Sequence, residues 1–216
     1  MDREIRMFNF DVKTSEAEAG NIIEGRAIVF GSKYDNGMWD EYIDSGALDN
    51  CDLKDVRLLI NHNTDMIPLA RSRNNTKNST MQLIKDDLGL TIKARLDVDN
   101  NQEAKALYSA TERGDISGMS FMFTVDQDKW EDLDTEHPTR HITAIRRVFE
   151  LSAVTFPAYE ETSLEARDSL ALESAKNVLD NARREDSMIK QLELEERNRI
   201  ERQKKKIRMM STIWER

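Results

Sequence analysis

Gly114-Asp115-Ile116-Ser117-Gly118-Met119-Ser120-Phe121-Met122-Phe123 is the stretch around which the chain is organised. An aromatic and Met-rich run of this kind reads as a strand. Period-two alternation then sets Met119, Phe121 and Phe123 on one face and Ser120 and Met122 on the other. Ser120 thus points away from the Phe pair, toward whatever the second face builds. Far upstream, Leu58-Leu59-Ile60-Asn61-His62-Asn63 places a histidine at the end of the apolar run Val56 to Ile60. Both polar side chains sit where strands leave a core, which suits catalytic groups. It suits a satisfied serine and a satisfied histidine equally well, because nucleophile and base are matched in space and not in sequence.

The flanking sequence is mostly strand-like. Phe8, Phe10 and Val12 alternate with polar residues and predict a first strand, followed by a solvated connection from Thr14 to Gly20. Ile22 to Phe30 is a second strand, Asn36-Gly37 a turn, Glu41 to Ile43 a short strand, and Ser45 the cap of a brief helix from Gly46 to Asn50. Asn61, Asn63, Thr64 and Asp65 form a polar rim around His62, and Ser72 to Thr80 is a polar connection. Met81 to Ile84 and Leu90 to Leu96 pair across Asp86-Asp87-Leu88-Gly89. The clear helix is Asn100 to Arg113, with Ala104, Leu107, Tyr108 and Thr111 on one side and Gly114 ending it. A polar insertion, Asp126 to Arg140, precedes the longest strand, Ile142 to Phe156, which Pro157 stops.

After Tyr159 the composition changes. Residues 160–216 hold 26 charged side chains, 13 of each sign, and neither Gly nor Pro, so the net charge of −9 belongs wholly to residues 1–159. This divides the chain into a domain over 1–159 and a tail over 160–216 that is helical or partly disordered. Leu172, Ala175, Leu179 and Ala182 give the tail a thin apolar stripe suited to another helix. Lys204-Lys205-Lys206-Ile207-Arg208 is a solvated basic cluster or a contact for an acidic surface or nucleic acid. The overall negative charge argues against nucleic-acid binding as the main role. The single cysteine, Cys51, excludes an internal disulfide, and Asn50 and Asp52 give its thiol no activating context. The first ten residues carry no signal-peptide pattern, and no apolar run approaches the ~20 residues that span a bilayer. A cytoplasmic location is expected.

Gly25-Arg26-Ala27 with Phe30, Ser45-Gly46-Ala47-Leu48, Leu58 to His62, Leu88-Gly89-Leu90, Gly118 to Phe123 and Phe149-Glu150-Leu151-Ser152-Ala153-Val154-Thr155-Phe156-Pro157-Ala158 follow one another in a particular order and spacing. In these pieces the chain from about Glu24 to Ala158 resembles the prohead (procapsid maturation) proteases of tailed phages, a family related to the herpesvirus assemblins. That family usually carries Pro-Gly-Ala-Phe, His-Asp, a Pro-Ile-Gly turn and Gly-Leu-Ser-Ile-Gly-Phe. This chain has Ser45 to Leu48, His62-Asn63, Pro68-Leu69-Ala70 and Gly118 to Phe123 instead, departures that bear on the substrate groove more than on Ser120 and His62. The resemblance implies a mainly β fold with a few helices (α+β), an assemblin-like antiparallel β-barrel followed by a long helical charged tail. It also implies a serine endopeptidase, free of cofactors, that processes major capsid precursor and scaffold proteins inside the procapsid in the host cytoplasm. Self-cleavage is a family trait, and self-association is left open. The alternative is a non-enzymatic capsid assembly or scaffold protein that acts through its helical tail.

Peptide hydrolysis by serine needs a nucleophile, a base that later protonates the leaving amine, and a third group that fixes the base's tautomer. By the resemblance Ser120 is the nucleophile and His62 the base. Glu150 is the choice for the third member, since a carboxylate interrupting a largely buried strand requires a partner. An ion pair with Arg146, Arg147 or another base is the plainer explanation of the same carboxylate. His141 is the rival third member, because assemblins use a second histidine there. A metal pair of His137 and His141 lacks a completing carboxylate or cysteine. Ser117 and Ser152 are weaker nucleophile candidates. Arg146 and Arg147 enter only by analogy with the assemblins' oxyanion arginines and stay outside the catalytic set.

Overall fold

The computed structural model describes residues 3–8, 12–17, 20–155 and 169–214. Thr139–Val154 (β11) is its spine. Along one edge it pairs antiparallel with Gly118–Glu131 (β10), from Gly118 opposite Val154 to Glu131 opposite Thr139. Along the other it takes two short strands in parallel, Asp40–Ile43 (β5) near its start and Arg57–Ile60 (β6) near its end. Glu4–Phe8 (β1) lies antiparallel on the free edge of β10, with Met7 opposite Ser120. Tyr34–Asp35 (β4) pairs β5, and Ala70–Arg71 (β7) pairs β6, completing a seven-stranded sheet. A second, antiparallel sheet runs in the order Lys13–Ala17 (β2), Gly20–Val29 (β3), Gly89–Leu96 (β9) and Met81–Asp86 (β8).

One core serves both sheets. Ile23, Ile28, Leu90 and Ile92 from the smaller sheet join Leu58, Phe121, Phe123 and Leu151 from the larger, and all are buried. Gln102–Glu112 (α1) adds Ala104 and Leu107, and its N-terminus is closed by Asn101, whose side chain accepts from the backbone N–H of Glu103 and of Ala104. The helical face, the strand alternation of Leu90, Ile92, Ala94 and Leu96, and the stop at Gly114 follow the sequence pattern. Gly89 is required by contact: at φ +141°, a Cβ built there falls 1.9 Å from the Ile28 carbonyl oxygen.

Four sequence expectations need correction. Asp126 to Arg140 is no insertion but the arm of the β10–β11 hairpin, where exposed Gln127, Lys129 and Glu131 reach past the core. Thr14 to Gly20 is not all connection, since β2 forms a polar edge strand against β3. Gly46 to Asn50 makes successive turns in place of a helix, with Ala47 N donating to Asp44 O and Asp49 N to Gly46 O. The larger sheet is mixed where an antiparallel one was expected, because β5 and β6 both run with β11. Phe10, Phe156 and Pro157 lie outside the described residues.

Among the described residues neither sheet closes on itself, and the fold is mainly β with two helices. The chain divides into two compact units, Met1–Ser174 and Ala175–Arg216. Ser169–Trp214 (α2) is a continuous helix, the first of the two states left open for the charged tail, and Asp186–Lys190, Glu196–Arg199 and Glu201–Lys205 pair along it. Met188, Ile189, Leu192, Leu194 and Ile200 are exposed along it. No helix among the described residues is long and apolar enough to cross a membrane.

β1 is fastened by a buried network of charges. Arg6 bonds Glu4 at 2.6 Å and also Glu41, while Arg140 bonds Glu4 at 2.6 Å, Asp128 at 2.7 Å and Glu41 at 3.1 Å. Burial alone would raise the Glu4 carboxyl, but the guanidiniums of Arg6 and Arg140 outweigh it and hold the group below its ordinary 4.5. A carboxyl depressed in the folded state contributes stability that is complete above the unfolded value and is lost as pH falls through the folded one. The melting temperature is therefore expected to drop on acidification below about 4.5. Glu4→Gln should melt lower at neutral pH, by the roughly 3–5 kcal/mol of a broken buried pair, and with a flatter acid dependence. Parallel acid curves for the two proteins in melts followed by circular dichroism would exclude this role for Glu4.

Candidate active site

The mixed sheet lays its polar side chains out in rows. Across β10, β11 and β6, Ser120 stands opposite Ser152 and Ser152 opposite Leu59; in the next row Met122 stands opposite Glu150 and Glu150 opposite Arg57. Residues opposed in a sheet share a face, so Ser120, Ser152 and Glu150 look to the same side. The parallel pairing of β6 carries the chain straight from this face to His62.

His62 lies just beyond β6 in a left-handed turn, with Asn61 at φ 50° and His62 at φ 57°. Left-handed backbone is tolerated by Asn and His better than by most residues, at a cost on the order of 1 kcal/mol. The turn is stitched to β11 and the residue after it. Asn61 N donates to Ala153 O at 3.0 Å, its amide bonds the Thr155 hydroxyl at 2.9 Å and its side-chain oxygen accepts from Thr155 N at 3.0 Å. His62 N donates to Ser152 Oγ at 3.1 Å.

The imidazole so placed bridges the other two groups. His62 Nε2 is 2.6 Å from Ser120 Oγ, and His62 Nδ1 is 2.6 Å from Glu150 Oε1. With Glu150 as carboxylate, Nδ1 carries the hydrogen and Nε2 of the neutral ring accepts from Ser120. The second oxygen of Glu150 accepts from Ser152 Oγ at 2.5 Å. Ser120 Oγ also lies 2.7 Å from the carbonyl oxygen of Arg6 in β1, so one hydroxyl proton has two acceptors. Ser120 is wholly buried, Glu150 is 3% exposed, and the His62 side chain is 16% exposed, the open edge of the group. A cavity of about 300 Å³ borders Glu150, lined by Arg57, Leu59, Met66, Met122 and Phe149 among others. Proton transfer from hydroxyl to imidazole, with a carboxylate to steady the imidazolium, is the chemistry this arrangement permits.

The remaining candidates lie elsewhere. His141 stacks on Tyr42 and bonds Asp44 at 3.0 Å, nine positions before Glu150 on the same strand and so roughly 30 Å away. His137 does not pair with it but bonds Asp40 at 3.1 Å and approaches Asp35 at 3.7 Å; this group is exposed, and Lys33 already bonds Asp40. Arg147 faces Asp52 and the Phe149 ring, and Glu150 bonds His62 and Ser152. Ser117 precedes β10 in the connection from α1. The Cys51 thiol is pushed up to about 12 by burial, which leaves it no thiolate for attack. Sequence reasoning missed the service of Ser152, though the Glu150-x-Ser152 spacing on one strand face was visible, and it had no signal for the Arg6 carbonyl.

A hydroxyl, an imidazole and a carboxylate joined in this order are the working parts of serine hydrolases, and comparison with known proteins narrows the class. The model of the Caudovirus prohead serine protease family matches residues 8–179, and the chain belongs to that family. It is 28% identical over 169 residues to the prohead protease of Enterobacteria phage HK97, a span that covers 76% of this chain and 68% of that protein. No solved structure matches. Membership makes it a serine peptidase with a role in phage capsid maturation.

Proposed function

We propose that the chain is the endopeptidase that cuts the major capsid precursor and scaffold proteins of its phage, acting inside the procapsid in the host cytoplasm and cleaving itself, with Ser120 as nucleophile, His62 as base and Glu150 as the third member. The observation that carries this reading is the unbroken chain Ser120 Oγ, His62 Nε2, His62 Nδ1, Glu150 Oε1, with both links at 2.6 Å. In the first step His62 Nε2 takes the Ser120 proton as Oγ bonds to the scissile carbonyl carbon, and the negative charge passes to the carbonyl oxygen. Collapse breaks the C–N bond, and the imidazolium returns the proton to the leaving amine. Water then repeats the sequence on the acyl-enzyme, with His62 again as base. Glu150 stabilises the imidazolium in both halves.

The barrel belongs to the same proposal. Gly31 N donates to Ile43 O at 2.9 Å, tying the end of β3 to β5, and Thr80 bridges Arg71 of β7 and Arg95 of β9. These corners between the sheets support an assemblin-like barrel.

The test is co-expression with the cognate capsid and scaffold genes and intact-mass measurement of every product. Shortened capsid and scaffold proteins, and a shortened protease, are expected with the natural chain and absent with Ser120→Ala. Full-length precursors beside the folded natural chain would defeat the proposal, and normal processing by the variant would return the scaffold reading to first place.

A further inference from the structure

We propose that Ser152 is a positioning residue of the proteolytic site, which sets the carboxylate and the histidine turn against each other through one hydroxyl; the inference rests on the catalytic reading of Ser120, His62 and Glu150. The Ser152 hydroxyl donates to Glu150 Oε2 at 2.5 Å and accepts from His62 N at 3.1 Å, and the residue is wholly buried. Its only proton is thus committed to the carboxylate, and its oxygen is committed to the backbone of the base. That excludes it as a second nucleophile and gives it a different task.

The task follows from geometry. A carboxylate held at one oxygen swings about its Cγ–Cδ bond, and the Asn61 bonds that stitch the left-handed turn to β11 and Thr155 stop one residue short of His62 itself. Ser152 removes both freedoms together. With Oε2 anchored, Oε1 is presented to Nδ1; with His62 N anchored, the ring is presented between Oε1 and Ser120 Oγ. Ser152 also stands directly opposite Ser120 in the β10–β11 register, so nucleophile, base and carboxylate are all located from one point on β11. A hydrogen bond to an ionised carboxylate is among the stronger kinds, which suits an anchor.

The variant is Ser152→Ala in the full chain, assayed on a peptide spanning a precursor junction identified by the mass measurements above. Misplacement by about 1 Å can cost on the order of 100-fold, so kcat is expected to fall by about that factor with KM unchanged. A folded protein is verified by its melting curve. Ser152→Thr retains the hydroxyl and is expected to restore most of kcat. A purely structural serine would lower the melting temperature and leave the kcat of the folded protein intact. Should Ser152→Ala not fold, Ser152→Cys, with a thiol of weaker donor strength, replaces it and is expected to turn over more slowly than Ser152→Thr. Wild-type kcat in a folded Ser152→Ala or Ser152→Cys protein, a loss confined to KM, or a Ser152→Thr protein no faster than the alanine variant would overturn the proposal. Ser120→Ala separates the two levels: an active Ser120→Ala protein sinks the catalytic reading itself, whereas an inactive one beside a fully active Ser152→Ala protein sinks only the role of Ser152.

Discussion

Ser120→Ala is expected to reduce precursor cleavage by ~10⁶-fold, and His62→Ala by about the same factor with no further loss in the double variant, because residues that act as one unit are non-additive. The variant protein is expected to stay folded. Removing the Ser120 hydroxyl takes away one proton that serves either His62 Nε2 or the Arg6 carbonyl, a hydrogen bond worth about 1 kcal/mol, while the Met119, Phe121 and Phe123 face of β10 keeps its burial. The measurement is a single-turnover assay on purified protein, with the melting temperature read in parallel. Additive losses in the double variant would show that the two residues act separately.

Glu150→Gln carries the second large effect. The amide has nearly the carboxylate's shape, but it cannot balance the imidazolium, and its NH₂ group competes for the wrong tautomer of His62. A loss of ~10⁴-fold in kcat is expected by analogy with the corresponding change in the serine-protease template. His141→Ala is expected to leave kcat alone, since that ring packs on Tyr42 and Asp44 far along β11. Steady-state kinetics on the two variants decides between them, and the opposite ranking would make His141 the third member.

What could be read from the residues alone was local. α1 announced itself through Ala104, Leu107, Tyr108 and Thr111 at helical spacing and the glycine that ends it, though not through its cap at Asn101, and β9 through strict alternation. Glu150 stood out because a carboxylate in a buried strand demands a partner. The long arm of the β10–β11 hairpin was hidden because its inner face holds Asp128 and Trp130 against Arg140 and Trp39 in place of an aliphatic row, so the stretch lacks an apolar rhythm and Asp126 to Glu131 looked like a loop. β2 was hidden because Lys13-Thr14-Ser15-Glu16 at a sheet edge carries no apolar side chain to alternate. The parallel seating of β5 and β6 on β11 pairs residues 99 and 93 positions apart in sequence, for which no neighbouring residue gives a sign. That pairing brings His62 to Ser120, so the candidate site's side chains were legible one by one while their meeting was not, except through the family resemblance.

The two acceptors around Ser120 Oγ have a kinetic consequence. When His62 carries protons on both nitrogens, its Nε2 donates to Oγ and the hydroxyl turns to the Arg6 carbonyl; when the ring is neutral, the hydroxyl turns back to Nε2. Only one C–O bond rotates between these two arrangements, a motion on the order of picoseconds to nanoseconds, against turnover of typically 1–10³ per second. No heavy atom has to relocate. The charge network that fastens β1 keeps the Arg6 carbonyl in place beside Oγ, so in the protein free of substrate the hydroxyl exchanges acceptors without a slow conformational step.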